Sequence, residues 1–406
     1  MNASTGPLKT LAFFLLLGVA AVSWGGCAHL GRQYAGPESS DLASHLRGTL
    51  AFPEPDSGTT RLMTFPGVAE RDLFPAGEKP SILLLAGPDA QNRLVYETWE
   101  LDSTKNFFSS AHEKVSLKVI SAEDRQSKTL FERTGENRIG EQIALSARGG
   151  QVAFVGNRKW DSSSGWDIGE LEIWDLETGR GGPIGIKALA GGISWFSDGS
   201  RLAFVEAVPR EAVAPALWSQ GVSRASKGAL AHSPEEGGGF ADEFRKKRWW
   251  KSGWAGADKV PVVCLYDRAR KTVTPLHVGL SPVVSPDGST ILLQDSKWRF
   301  MKIDLVTGKN ELVGWPEYSP PFPIALLDEG YLIYATPPSK GVKERSTKHN
   351  SPLVGPKPMV SVKIWKVGTT QYQTLVTYVD PRDIWFLRVS YGEPAGPRLG
   401  GKGSGK

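Results

Sequence analysis

The side chains able to do chemistry are few and scattered along the 406 residues. The six histidines are His29, His45, His112, His232, His277 and His349. None has a second histidine four positions away, the spacing that lets one helix face hold zinc. No Gly-x-Ser-x-Gly elbow presents a nucleophile, and no Gly-rich loop of the P-loop type is there to cradle phosphate. The two cysteines, Cys27 and Cys264, argue against a disulfide framework and against a cysteine zinc site. Asp161-Ser162-Ser163-Ser164-Gly165-Trp166-Asp167 is the best calcium-like loop, yet it lacks the closing bidentate Glu that an EF-hand loop needs. Neither a metal, nor a cofactor, nor a catalytic set is expected from these residues.

One run does stand out. Arg245, Lys246, Lys247 and Arg248 are followed by Trp249, Trp250 and Trp254. Arg and Trp together are enriched at protein interfaces, where the ring fills a pocket and the guanidinium binds carboxylates. The same mixture suits the headgroup layer of an anionic membrane. A third reading has the tryptophans dock the segment onto its own domain while the charges stay solvated. The net charge of +5 and pI near 9.0 are a mild excess and do not by themselves imply nucleic acid, which is not expected as a partner.

The N-terminus explains Cys27. Leu11 to Val22 is an almost unbroken apolar run. It is too short to span a bilayer, which takes about 20 residues, and right for the apolar region of a signal peptide. Ser23-Trp24-Gly25-Gly26-Cys27 follows and resembles a lipobox, in which the cysteine becomes the acylated N-terminus. Trp24 departs from the aliphatic residue usual at that place. The expected organisation is a signal peptide over 1–26, a Gly/Ser/Pro-rich tether over 27–47, a folded domain over 48–391 and a flexible basic tail over 392–406. Export to the periplasm with a lipid anchor in the outer membrane is the expected address.

The folded part repeats a phrase: an Asp-Gly turn between two short apolar strands, then a later strand ending in an aromatic or aliphatic residue near Asp. The clearest copy is Val283-Val284-Ser285-Pro286-Asp287-Gly288-Ser289-Thr290-Ile291-Leu292-Leu293, completed by Phe300 to Lys309. Others run from Ile193 through Asp198-Gly199 to Val205, from Ile143 through Gly149-Gly150 to Val155 with Leu171 to Asp175 after it, and from Ile324 through Gly330 to Tyr334 with Val362 to Trp365. Asp-Gly favours a tight hairpin because glycine accepts positive φ. Strands without a polar side are buried on both faces. A period of about 40 to 50 residues with several strands per unit is that of propeller blades.

These phrases resemble the Ser-Pro-Asp-Gly repeats of the TolB-like family of six-bladed β-propellers, most clearly over 137–378. The resemblance implies an all-β fold of six blades, each of about four antiparallel strands. The expected blades are 48–79, 80–136, 137–187, 188–278, 279–315 and 316–380, with Asp383 to Val389 closing the ring against the first. A seventh blade or an imperfectly closed ring, and a β-sandwich with chance hairpins, are the alternatives. Segment 207–259 reads as a long insertion on one blade, and long loops in compact domains are functional or disordered. The family implies a non-catalytic module of the cell envelope whose funnel or loops hold a protein partner, as a monomer or within a larger complex. The alternative is a hydrolase or lyase with its site in the central channel, assembled from separate blades. Only about 25 residues follow the last blade, too few for an appended hydrolase domain.

Overall fold

The computed structural model describes residues 42–46, 48–54, 59–65, 69–75, 82–101, 113–123, 125–134, 142–148, 150–218, 258–295, 299–313, 322–327, 330–336, 360–378 and 388–389. They build six sheets of four antiparallel strands. The first comprises β1 (Gly48–Glu54), β2 (Thr59–Phe65) and β3 (Ala69–Asp72). The second is β4 (Ile82–Ala86), β5 (Arg93–Leu101), β6 (Glu113–Ser121) and β7 (Ser127–Thr134). The third is β8 (Ile143–Leu145), β9 (Gln151–Asp161), β10 (Trp166–Asp175) and β11 (Gly181–Leu189). The fourth is β12 (Ser194–Trp195), β13 (Arg201–Pro209), β14 (Lys259–Asp267) and β15 (Thr272–Val278). The fifth is β16 (Leu280–Val284), β17 (Thr290–Gln294), β18 (Phe300–Asp304) and β19 (Asn310–Val313). The sixth is β20 (Phe322–Leu326), β21 (Tyr331–Thr336), β22 (Val360–Lys366) and β23 (Tyr372–Tyr378). A two-residue strand, β24 (Arg388–Val389), pairs with β1 through Leu50↔Val389 and Ala51↔Arg388 and completes the first sheet.

The first strands of successive sheets touch one another in the order β4, β8, β12, β16, β20 and β24. They are the inner strands of a six-bladed propeller, as the repeat implied. The expected closure is met by β24; residues 383–387 lie outside the described residues. Among the described residues there is no α-helix, and no helix long and apolar enough to cross a membrane.

Burial explains the unbroken apolar strands. Val152, Ala153, Phe154 and Val155 on β9 are all fully buried. Val152 and Phe154 join the cluster shared with the second blade, while Ala153 and Val155 join the one shared with the fourth. Each second strand is thus sandwiched between neighbours, so the alternation of a half-exposed strand disappears. A fully buried Phe or Leu of this kind contributes about 1.5–3 kcal/mol.

The Asp-Gly phrase is a latch within and between blades. In the fifth blade Gly288 N–H donates to Ser285 O at 2.9 Å, and the Asp287 carboxylate accepts Ser289 N–H at 3.0 Å. Thr290 N–H donates to Ser285 Oγ at 2.9 Å. The turns then bond to each other around the ring: Ala90 N–H to Ala147 O at 2.7 Å, Arg148 N–H to Ser197 O at 3.1 Å, and Ser197 Oγ to Pro286 O at 2.6 Å. Gly288 has φ +71° and lies against Phe196 of the preceding blade, where an added Cβ would sit 3.0 Å from Cδ1. Gly288→Ala is therefore expected to cost about 1–2 kcal/mol, from left-handed backbone and the crowded ring. The midpoint of urea denaturation measures it; an unchanged midpoint would refute the latch.

A second inter-blade tie is ionic. Arg133 on β7 forks onto Glu172 on β10, with Nη1 donating to Oε1 at 2.9 Å. Glu172 is fully buried and also accepts Trp174 Nε1–H at 3.1 Å. The guanidinium stacks over Phe131 at 4.7 Å. Gly156 leaves room for the pair, since a Cβ there would lie 2.0 Å from Glu172 Oε1.

Two sequence boundaries shift. Residues 42–46, placed in the tether, pack on the propeller: Leu42 and Leu46 are buried with Ile333, Val362 and Ile364 of the sixth blade. The insertion is narrower than 207–259, because β13 continues through Pro209 and β14 begins at Lys259, directly paired with it. Strand pairing along a hairpin stalk stabilises these apolar ends, which a loop reading missed.

Candidate functional site

The antiparallel order fixes two faces of the ring. The first-to-second and third-to-fourth strand connections lie on one face, here the turn face. It carries the compact turns 146–150, 196–200 and 285–289. The second-to-third connections, and the crossings to the next blade, lie on the loop face. There β5 and β6 are separated by 102–112, β13 and β14 by 210–258, and β21 and β22 by 337–359. Three blades thus send their longest intra-blade connections from a single face.

The speculative partner-binding residues Arg245, Lys246, Lys247, Arg248, Trp249, Trp250 and Trp254 belong to the connection between β13 and β14 and lie outside the described residues, as does Cys27. The roots of that connection are described. Arg210 N–H donates to Asp258 O at 2.9 Å. The Arg210 guanidinium stands 5.4 Å from the Trp218 ring, and Val213 is buried. Residues 215–217 pack against β15, so the segment starts along the outer strand of its own blade.

The Asp161–Asp167 loop caps the adjacent third blade as the tip of the β9–β10 hairpin. Its Asp161 carboxylate accepts the Ser163 hydroxyl at 2.7 Å and Lys259 Nζ at 3.0 Å. Burial alone would raise this carboxyl, but the bonds from Ser163 and Lys259 outweigh it and bring it down to about 2. The loop thereby pins the root of the neighbouring connection. Among the described residues no group of three or more His, Cys, Asp or Glu comes together as a metal site. Trp160, on the same hairpin, is 44% exposed.

Deeper on this face sit polar groups that sequence reading left unassigned. Asp295 is buried and accepts Arg299 Nε–H at 2.8 Å and Nη2–H at 2.6 Å, closing the β17–β18 connection. Asp89 and Arg93 use the same four-residue spacing on the turn face, with Nε to Oδ2 at 2.9 Å. An Asp-x-x-x-Arg phrase at a strand end was the available signal. Glu206 on β13 is held above the ordinary carboxylate range by burial, slightly opposed by the Cys264 thiol. Burial, then the Glu206 charge, pushes Cys264 up to about 12. That thiol is buried in its strand, as its apolar flanks implied, and is no nucleophile.

His277, buried on β15, has Nδ1 2.9 Å from Val278 O. Burial drives its imidazole below 6.5, against the pull of that carbonyl and of the Asp295 charge. The unfolded chain therefore takes up the proton first. The stability this group contributes is complete above pH 6.5 and declines as pH falls below it. A lower urea midpoint at pH 5 than at pH 7 is expected, with the difference reduced in His277→Gln. Asp161 adds its own loss only below 3.8, toward 2. An identical pH slope in wild type and His277→Gln would refute the assignment.

The chain is a six-bladed β-propeller closed by strands from both of its ends. It is similar in structure to a putative TolB from Agrobacterium tumefaciens, with a TM-score of 0.46 and 12% identity, covering 85% of this chain and 98% of that one. It is also similar to an oligogalacturonate lyase in complex with manganese, with a TM-score of 0.43 and 12% identity, covering 72% and 74%. No family model matches the sequence, and neither does any curated protein.

Proposed function

We propose that this protein is a non-catalytic binding or scaffolding module of the cell envelope, exported by its leader, anchored to the outer membrane by lipid at Cys27, and holding a protein partner on its loop face. The observation that carries the reading is the asymmetry of the two faces. The turn face is consumed by bonds between blades, Ala90 to Ala147, Arg148 to Ser197 and Ser197 to Pro286. Connections on the loop face are free to vary in length and composition without touching those bonds. A rigid ring presenting variable loops on one side suits recognition. The polar groups described there support the same reading. Asp295 is committed to Arg299, Asp161 to Ser163 and Lys259, and His277 to a carbonyl.

The test is affinity purification from the native bacterium after mild crosslinking. It compares the intact chain with one in which 219–257 is replaced by a short Gly/Ser linker, leaving the β13–β14 stalk whole. Specific partners that disappear on deletion support the reading. A partner list that does not change moves recognition elsewhere on the ring. No specific partner with either chain counts against a scaffold and favours a screen for substrates of the channel.

A further inference from the structure

Carboxylates sheltered by this fold come with partners. Asp89 has Arg93, Glu172 has Arg133, Asp295 has Arg299 and Asp161 has Lys259, each within 3.0 Å. Asp175, Asp267 and Asp304 accept backbone N–H groups within their turns. A carboxylate drawn out of water needs such bonds, because water no longer solvates its charge. Glu206 is the exception. It is partly buried on β13, and its one hydrogen-bond partner among the described residues is the Cys264 thiol, 3.8 Å from Oε2. A thiol is a weak donor. Among the described residues no ion pair reaches Glu206, and the cations on adjacent elements are engaged elsewhere. Lys259 is bonded to Asp161, Lys187 to Glu170, and the Arg210 guanidinium stands over the Trp218 ring.

The strand register gives this carboxylate a place. Leu202, Ala203, Phe204 and Val205 are fully buried, and Glu206 is the first residue beyond them toward the loop face. Side chains alternate between the two sides of a strand. Trp195, opposite Leu202, donates Nε1–H to Ala144 O of the third blade at 3.1 Å. Leu202, Phe204 and Glu206 therefore look toward the third blade, while Arg201 reaches the other way, to Gly288 of the fifth. On the third-blade side β11 packs on β13 and brings Ala188 and Leu189 to the same apolar cluster as Phe204 and Cys264. Nearer the loop face the Asp161 to Lys259 bond joins the two blades. Glu206 is thus an unpaired carboxylate at an apolar seam, partly open to solvent on the side of the long connections.

From this geometry we infer that Glu206 anchors a lysine or arginine side chain of the protein partner, received between the third and fourth blades. The inference rests on the proposal that the loop face binds a partner; it adds the residue that takes hold and the chemistry of what it holds. A long cationic side chain fits both parts of the site. Its methylene stem covers apolar surface and its charged head supplies the cation that Glu206 lacks. A charge pair closed off from water at a contact is also where a single truncation costs most binding.

The test uses the full chain and two blocked amino acids, N-acetyl-lysine methylamide and N-acetyl-norleucine methylamide, which differ by the terminal ammonium. Saturation-transfer NMR reads binding at pH 7 and constant ionic strength, with thermal unfolding as the control for folding. The lysine compound is expected to bind and the norleucine compound not. Glu206→Gln should weaken the lysine compound about tenfold or more. Lowering the pH should weaken it in the unaltered chain as well, because Glu206 takes up a proton while the ammonium keeps its charge. Glu206→Gln should lack that slope. Equal binding of the two compounds, equal binding of the lysine compound to both chains, or no binding at all overturns the anchor. Crosslinked capture from native envelopes then gives the source of the cation. Capture that falls with Glu206→Gln supports a side chain of the partner. Unchanged capture, where the lysine compound still needs Glu206, assigns the site to a free small cation; it overturns the partner's side chain and leaves the loop-face reading standing. If neither chain captures a specific partner, the loop-face reading fails and the partner's side chain with it.

Discussion

Arg133→Ala is expected to lower the unfolding free energy by about 3–5 kcal/mol, because it strands the buried Glu172 carboxylate without its cation. The pair joins the outer strand of the second blade to the third strand of the next. Glu172 has no exposure, while Arg133 is 20% exposed. Trp174 Nε1–H alone would remain to the carboxylate. The guanidinium also covers Phe131 and Phe154, so truncation removes packing as well as charge. Replacing both partners separates these contributions. Arg133→Met with Glu172→Leu should recover most of the loss, since a buried ion pair can be exchanged for apolar contacts of similar volume at little cost. Urea denaturation at neutral pH reads both variants. A single mutant within 1 kcal/mol of wild type would show that the pair carries no such weight.

Leu46→Ala is the second large effect, at about 2–5 kcal/mol. Leu46 is fully buried and Leu42 nearly so, both against the sixth blade although they precede the first. They lie across the seam where the ring closes. The pairing of β24 with β1 and the packing of Leu50, Met63 and Phe65 on the sixth blade close the same seam. Hydrogen exchange should therefore rise in β1 and β22 and stay unchanged in β9 and β13, which lie on the far side of the ring. Uniform acceleration in all six blades would mean that the seam is not a separate unit.

The repeat was readable because every copy solves the same local problem. Asp198-Gly199 and Asp287-Gly288 make the positive-φ turn, and their strands are apolar on both sides because two neighbours cover them. Blade number came with the family resemblance, and the late arrival of β14 from the lack of a convincing strand pair in the sequence 207–259. The clasp by Leu42 and Leu46 was hidden, since two leucines in a polar stretch carry no period. The charged members of buried strands were hidden for another reason. Glu172 finds Arg133 on the neighbouring blade, and local sequence does not report a contact made between blades. The basic and aromatic run at 245–254 was conspicuous in composition, and it lies outside the described residues. The partner itself has no local signature.

The closure at β24 also sets an order of events. The inner strand of the first blade is the last strand among the described residues. A chain emerging N-terminus first presents the inner edge of β1 long before Val389 arrives to cover it. Until then that edge is an open template for any passing strand. A product cut short before Arg388 would keep it open permanently. Completion of the chain through Val389 and completion of the ring are thus one event, and a chain lacking β24 stays among the sticky intermediates that aggregate.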